Sequence, residues 1–269
     1  MSNLFTSAIV YSLDTATQTE YDNILTEHVM LFQLSGEMTF ETSEQKIVAQ
    51  PGQIYLVRKH QFVKATKKPM GGQAYHAYLF ILKDDVLRQY ALEKGITVPQ
   101  RSAFDSKHFL LSKSLIFDSL ISSFSFHARS TLEVDHPLSA LKVREAIEIL
   151  LLTNPQLENF LFDFSEPFKI DLEKFMLANY KFNVSMEHFA TLTGRSLATF
   201  KRDFLKVFGE TPGRWLHHAR LKEAHYQIQK HNKKPSEIFL EVGFESFAHF
   251  SNAFKAKYGY TPKSIAPSV

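Results

Sequence analysis

Gly243-Phe244-Glu245-Ser246-Phe247-Ala248-His249-Phe250-Ser251-Asn252-Ala253-Phe254, closed by Tyr258, Gly259, Thr261 and Pro262, is the stretch that decides the fold. Gly243 breaks a preceding short helix, since glycine takes a positive φ at little cost. Ser246 is placed to cap a new helix, because its hydroxyl can accept from the free amides of the first turn. Phe250, Phe254 and Tyr258 then recur at i, i+4 and i+8, which is one face of an α-helix. Gly259 ends it at a left-handed cap. The stretch reads as helix, tight turn, helix.

A shift of 50 residues toward the N-terminus finds the same pattern without a gap. Phe239 falls on Phe189, Val242 on Leu192 and Ser246 on Ser196. Phe250 falls on Phe200, Phe254 on Phe204, Tyr258 on Phe208, Gly259 on Gly209, and Thr261-Pro262 on Thr211-Pro212. Several of the matched types are rare, so a true internal repeat explains them better than chance. In the first copy Ser185 is expected to cap Met186–Leu192, with Gly194 in the turn; in the second, Ser236 is expected to open the short helix.

With the phenylalanines turned inward, Leu197, Ala198, Thr199, Lys201 and Arg202 lie on or beside the open face of the first copy. Phe247, Ala248, His249, Ser251 and Asn252 take those places in the second, with Lys255 further along. They crowd the N-terminal half of each second helix, the end that enters a major groove in helix-turn-helix proteins. Lys and Arg there reach guanine acceptors or phosphates, small Ala and Thr approach a thymine methyl, and Asn252 can pair with adenine. His249 is open to a base, a phosphate or solvent. Phe247 is costly on an open face unless it packs on a base, a sugar or its own turn. A plain helical bundle would leave the basic Lys201, Arg202 and Lys206 without a reason.

Gly243-Phe244-Glu245-Ser246, Phe250, Phe254-Lys255, Gly259 and Thr261-Pro262 resemble the signature of the AraC/XylS family of bacterial regulators. Arg220-Leu221-Lys222-Glu223-Ala224 is similar to that family's linker helix. The resemblance covers about Ile170 to Ile265. It implies an all-α DNA-binding domain over 166–269, two helix-turn-helix units joined by a linker helix, with double-stranded DNA and RNA polymerase as partners and activation as the direction of control. Phe239 stands where the family often has Ala, Ala198 where an aromatic or basic reader is usual, and Asn252 where Arg is common. The operator sequence therefore does not carry over.

Ahead of this lies a different pattern. Val29–Leu34, Met38–Thr42, Ile54–Val57 and Ala74–Leu82 are short β-prone runs punctuated by Ser35-Gly36 and Pro51-Gly52, as in a small sandwich or barrel. The chain is thus read as α+β, with a small β-barrel and following helices over 1–160, similar in pattern to the family's cupin-like sensing domain. Leu56 to Thr66 is similar to a subgroup in which the barrel meets a protein or an undefined effector. Phe32, Tyr55, His76, Tyr78 and Phe80 are pocket candidates by type, with ordinary core as the alternative; no ligand is assigned. Helices are expected over Asp84–Lys94, Ser114–His127 (stripe Leu115, Ile116, Leu120, Ile121, Phe124) and Pro137–Leu152 (stripe Leu138, Leu141, Ala146, Ile149, Leu150). The last two can pack on the barrel or pair two copies as a homodimer. Phe160 to Glu166 reads as a linker.

Composition narrows the classes. Of 31 Lys and Arg and 28 Asp and Glu, the stretch from Glu166 onward holds 16 and 10, leaving 15 and 18 in the first 165 residues. A basic region behind a mildly acidic one fits a polyanion partner. There is no cysteine, so disulfides and thiolate metal sites are excluded. No run reaches 18 uncharged apolar residues and Met1–Thr6 has no signal-peptide pattern, so a cytoplasmic protein with no membrane partner is expected. His60 and His76 are isolated and no His-x-His occurs, so no metal and no cofactor is expected. No Walker loop, dinucleotide turn or nucleophile elbow is present, and no catalytic residue is assigned. The rivals left open are control by a protein rather than a small molecule, and a non-catalytic interaction module.

Overall fold

The computed structural model describes residues 8–43, 45–97, 107–128, 137–164 and 170–265. The chain divides into two compact units, one of residues 1–20 and 25–166 and the other of residues 21–24, inside the second strand, and 167–269. The first holds two sheets. One runs β1-β8-β3-β6-β9, with β1 Ile9–Asp14, β3 His28–Ser35, β6 Ile54–Val57, β8 Tyr75–Leu82 and β9 His108–Leu111. The other runs β2-β7-β4-β5, with β2 Gln18–Leu25, β4 Glu37–Glu41, β5 Lys46–Ala49 and β7 Gln61–Lys68.

The five-stranded sheet is apolar on both faces, which is why its strands read as unbroken hydrophobic runs rather than alternating ones. Met30 sits in register between Leu56 and Phe80, and Leu31 between Tyr55 and Leu79. Leu31, Tyr55 and Leu79 pack with Met38, Phe40, Val63 and Ala65 of the smaller sheet. Met30, Leu56 and Phe80 pack on the other face, against helices α1 (Asp84–Lys94), α2 (Leu115–Ala128), α3 (Pro137–Thr153) and α4 (Glu158–Leu161). The expected barrel therefore stays open, as two sheets with one of them sandwiched between its partner and the helices.

The pocket candidates divide between those faces. Phe32, Tyr78 and Phe80 lie on the helix side and Tyr55 between the sheets, all buried, while His76 is half-buried beside Tyr11. Phe32 and Phe80 meet at 5.5 Å within the core, whereas Tyr55 and His76 stand apart from them. The first residues of the expected linker belong instead to the core of the first unit. Phe160, Leu161 and Phe162 are fully buried in the first unit. Arg58 lies 5.1 Å over Phe160 and pairs with Asp163 at 2.8 Å, and Phe162 stacks on Tyr90. A short aromatic run without period looks like a loop locally, yet it is held by residues a hundred positions upstream.

The helical stripes shift as well. In α2 the buried residues include Phe117 and Leu120, whereas Leu115 is 86% exposed. In α3 Val143, Ala146, Ile147, Ile149 and Leu150 are buried, while Leu138 and Leu141 face outward. The side chain of Phe124 lies outside the described residues.

The second unit comprises α5 (Leu172–Asn179), α6 (Met186–Leu192), α7 (Leu197–Phe208), α8 (Pro212–His231), α9 (Pro235–Glu241) and α10 (Phe247–Tyr258), then a 3-10 turn at Pro262–Ile265. Asp171 caps α5 by accepting from the Lys174 amide. No helix among the described residues is long and apolar enough to cross a membrane.

Candidate nucleic-acid interface

The first copy is built outward from its caps. Ser185 accepts from the His188 amide to start α6, and Ser196 accepts from the Thr199 amide to start α7. Between them Gly194 takes φ 64°, and the buried Thr193 hydroxyl bonds back to the carbonyls of Phe189 and Ala190 at 2.9 Å. Gly209 closes α7 at φ 72°. Phe200 and Phe204 are fully buried, and Phe204 meets Trp215 edge-on at 5.6 Å. Burying those two rings fixes what the helix shows to solvent. Ala198, Lys201 and Arg202 are exposed; Leu197 and Thr199 are half-buried. Thr199 also takes a hydrogen bond from the Ser196 hydroxyl at 3.0 Å, and Arg202 Nε stands 3.6 Å from Asp203.

The second copy follows the same plan, with one correction. Ser236 does not cap α9: the helix begins at Pro235, with Lys234 at the cap position and no side-chain cap bond. Proline at the first position needs no amide partner, so the serine hydroxyl is not required. Ser246 caps α10 by accepting from the His249 amide, and Gly259 closes it at φ 83°. Phe250 and Phe254 are fully buried. Ala248, His249, Asn252 and Lys255 are exposed, and Ser251 is half-buried. Phe247 is half-buried as well, its ring 5.6 Å from Phe239. The aromatic at 239 thus explains the one at 247: each removes the other from water.

Polar ties between elements had no local signal in the sequence. Arg195, its side chain 7% exposed, pairs with Asp203 at 3.2 Å and donates to the carbonyls of Ile170 and Thr193. It binds the first turn to α7 and to the start of α5. Arg220, in the middle of α8, donates to the carbonyls of Tyr180 at 2.9 Å, Phe182 at 2.7 Å and Gly243 at 2.9 Å, and to Asn183 Oδ1 at 3.4 Å. Asn183 in turn donates to Glu245 at 2.7 Å. Glu223 receives Lys181 at 2.6 Å and Tyr180 at 3.3 Å. Lys181 and Gln227 help hold that carboxyl below its ordinary range against the opposing effect of burial, and burial beside the same carboxylate pushes the Tyr180 phenol up.

Beside Arg220 a cleft of about 320 Å³ opens between the copies, lined in part by His217, Phe244 and His249. Burial lowers the His217 pKa, and the nearby positive charges of Lys257 and Arg220 add to it. Among the described residues no three His, Asp or Glu side chains gather as a metal site would require.

A family model described as a helix-turn-helix domain matches residues 189–266, and one described as the ExsA N-terminal regulatory domain matches residues 28–162, half of the chain. The HTH-type transcriptional regulator ExsA of Pseudomonas aeruginosa is 24% identical over 235 residues, 85% of this chain and 82% of that protein. The virulence regulon transcriptional activator VirF of Yersinia enterocolitica is 33% identical over 91 residues, 34% of each. The crystal structure of ToxT from Vibrio cholerae covers 96% of both chains at 14% identity with a TM-score of 0.42. Both sequence relatives are transcriptional regulators. The chain belongs to the AraC/XylS family: it is a DNA-binding transcriptional regulator with an ExsA-type regulatory domain ahead of two helix-turn-helix units.

Proposed function

We propose that α7 and α10 are the reading helices of this regulator and enter successive major grooves on one face of a duplex, about 34 Å apart along its axis. The supporting observation is the matched pair of faces. Two phenylalanines per helix are fully buried, and the small and polar residues at the N-terminal halves point to solvent. Lys201, Arg202 and Lys255 then supply affinity through phosphates, together with the helix N-termini. Arg202 and Asn252 carry base discrimination, with Thr199 and His249 beside them. Leu197, Ala198, Ala248 and Ser251 set how closely each helix approaches the bases. Phe247 acts through Phe239, by holding the start of α10.

Titration of random-sequence duplex in rising salt tests the reading. Affinity should fall steeply, and Lys201→Ala should reduce the slope of log affinity against log salt by about 1. Absence of binding, or binding indifferent to salt, excludes it.

VirF is described as an activator, which supports activation as the direction of control; we propose RNA polymerase as the partner and the cytoplasm as the place. Transcription reconstituted from purified polymerase should rise when the chain is added; a fall would reverse the assignment. The first unit is the control module. Leu115 and Leu141, 86% and 61% exposed on α2 and α3, favour control by protein contact, including a second copy, over a small molecule held among the divided aromatics. Leu141→Asp should lower the sedimenting mass from dimer to monomer; an unchanged mass excludes that surface.

A further inference from the structure

Two reading helices are useful together only if their phase along the duplex is fixed. A helix of 20 residues such as α8 spaces its ends by about 30 Å, and each copy packs on it, the first through Trp215 and the second through Leu221, Ala224 and Ile228, but that packing does not tie the two copies to each other. We propose that Arg220 is the positioning residue that sets this phase, with Gly243 as its seat. This rests on the reading of α7 and α10 given above.

The guanidinium joins three pieces of backbone. Tyr180 and Phe182 belong to the segment that leads into α6, and Gly243 is the turn between α9 and α10. Its partners there are main-chain carbonyls, so it fixes the backbone of both copies whatever their outward side chains are. Asn183 and Glu245 tie the same two segments directly. Gly243 leaves no room for any other residue. Its φ is +90°, and a Cβ there would stand 2.5 Å from the Lys181 carbonyl and 2.9 Å from the Arg220 guanidinium carbon. The first copy thus rests its lead-in segment on the second copy's turn, with Arg220 between them. Lysine cannot replace it: a guanidinium offers five donors in a planar fork, an ammonium three from one point.

The test uses the full chain and duplexes selected on it from random-sequence DNA. Each duplex is also made with either half scrambled and with one base pair inserted between the halves. For the native chain the insertion should weaken binding strongly. For Arg220→Lys, full-duplex affinity should fall by about 10–100-fold toward the half-duplex value, because the effective-concentration gain of a fixed pair is lost. Affinity for the half-scrambled duplexes should be unchanged and the insertion penalty should shrink. Asn183→Ala, which leaves the backbone partners in place, should move all three readouts the same way by a smaller amount, and it carries the test if Arg220→Lys does not fold. An unchanged full-duplex affinity and insertion penalty overturns the proposal. So does an equal loss on half-scrambled duplexes, since that marks a direct DNA contact or a general loss of structure. Failure of the native chain to select any duplex would instead sink the reading-helix assignment.

Discussion

The two helix-turn-helix copies share their scaffold position by position and part company on their outward faces. Ser196 and Ser246 cap by the same bond, Phe200 with Phe204 matches Phe250 with Phe254 at zero exposure, and Gly209 and Gly259 close the helices at φ 72° and 83°. Outside, α7 offers Lys201 and Arg202 where α10 offers Ser251 and Asn252. Burial and capping constrain the first set, because a changed ring leaves a cavity and a lost cap leaves open amides. The second set is held more loosely, Arg202 standing 3.6 Å from Asp203 and Ser251 being half-buried, so on the proposed reading it can vary with the DNA it meets. On the proposed reading, the first copy engages DNA through charge and the second through shape and amide hydrogen bonding.

The strongest challenge to this comparison is in the cores. Phe204→Ala and Phe254→Ala should each cost about 3–5 kcal/mol of stability, as large-to-small changes at fully buried rings do. Chemical denaturation checks this; a cost confined to one copy would break the equivalence.

Next come the faces. Arg202→Ala should weaken binding to a selected duplex by about 1–3 kcal/mol and relax preference at one position in its half. Asn252→Ala should relax preference at one position in the other half, with little change in salt dependence. Competition titrations against single-base variants separate the two. Identical effects on the same base pairs would mean that the copies do not read separate halves.

The smallest effect is at the caps. Ser196→Ala and Ser246→Ala should cost about 0.5–2 kcal/mol each, while Ser236→Ala should stay within about 0.5 kcal/mol, because α9 starts on Pro235 without a side-chain cap. A cost at Ser236 equal to the other two would restore the sequence-based expectation.

What was legible in the sequence was what local spacing encodes. The four phenylalanines, the caps at Ser185, Ser196 and Ser246 and the glycine stops lie within one or two turns of their partners, so the repeat and its outward faces could be read directly, while Ser236 could not be told from a cap. The strands β3, β6 and β8 were legible as apolar runs, but their division between two faces was not, and so Tyr55 was grouped with Phe32 and Phe80 across the thickness of the sheet. The contacts of Arg220 and of the Phe160–Phe162 run are not legible because their partners are distant in the chain, and those of Arg195 because they join a turn to α7 and to the start of α5. Arg220 reaches back 40 residues to Tyr180 and forward 23 to Gly243, and no periodicity reports such a contact. The sequence trace of the Arg220–Gly243 tie is the family resemblance at Arg220-Leu221-Lys222-Glu223-Ala224 and at Gly243, which marks the two positions and not the contact between them.

The most direct measurement is a hydroxyl-radical footprint of the full chain on a selected duplex. Two protected windows on the same face, centred about 10 base pairs apart, are expected of two helices in successive major grooves. A single window, or two windows on opposite faces of the duplex, would contradict the account.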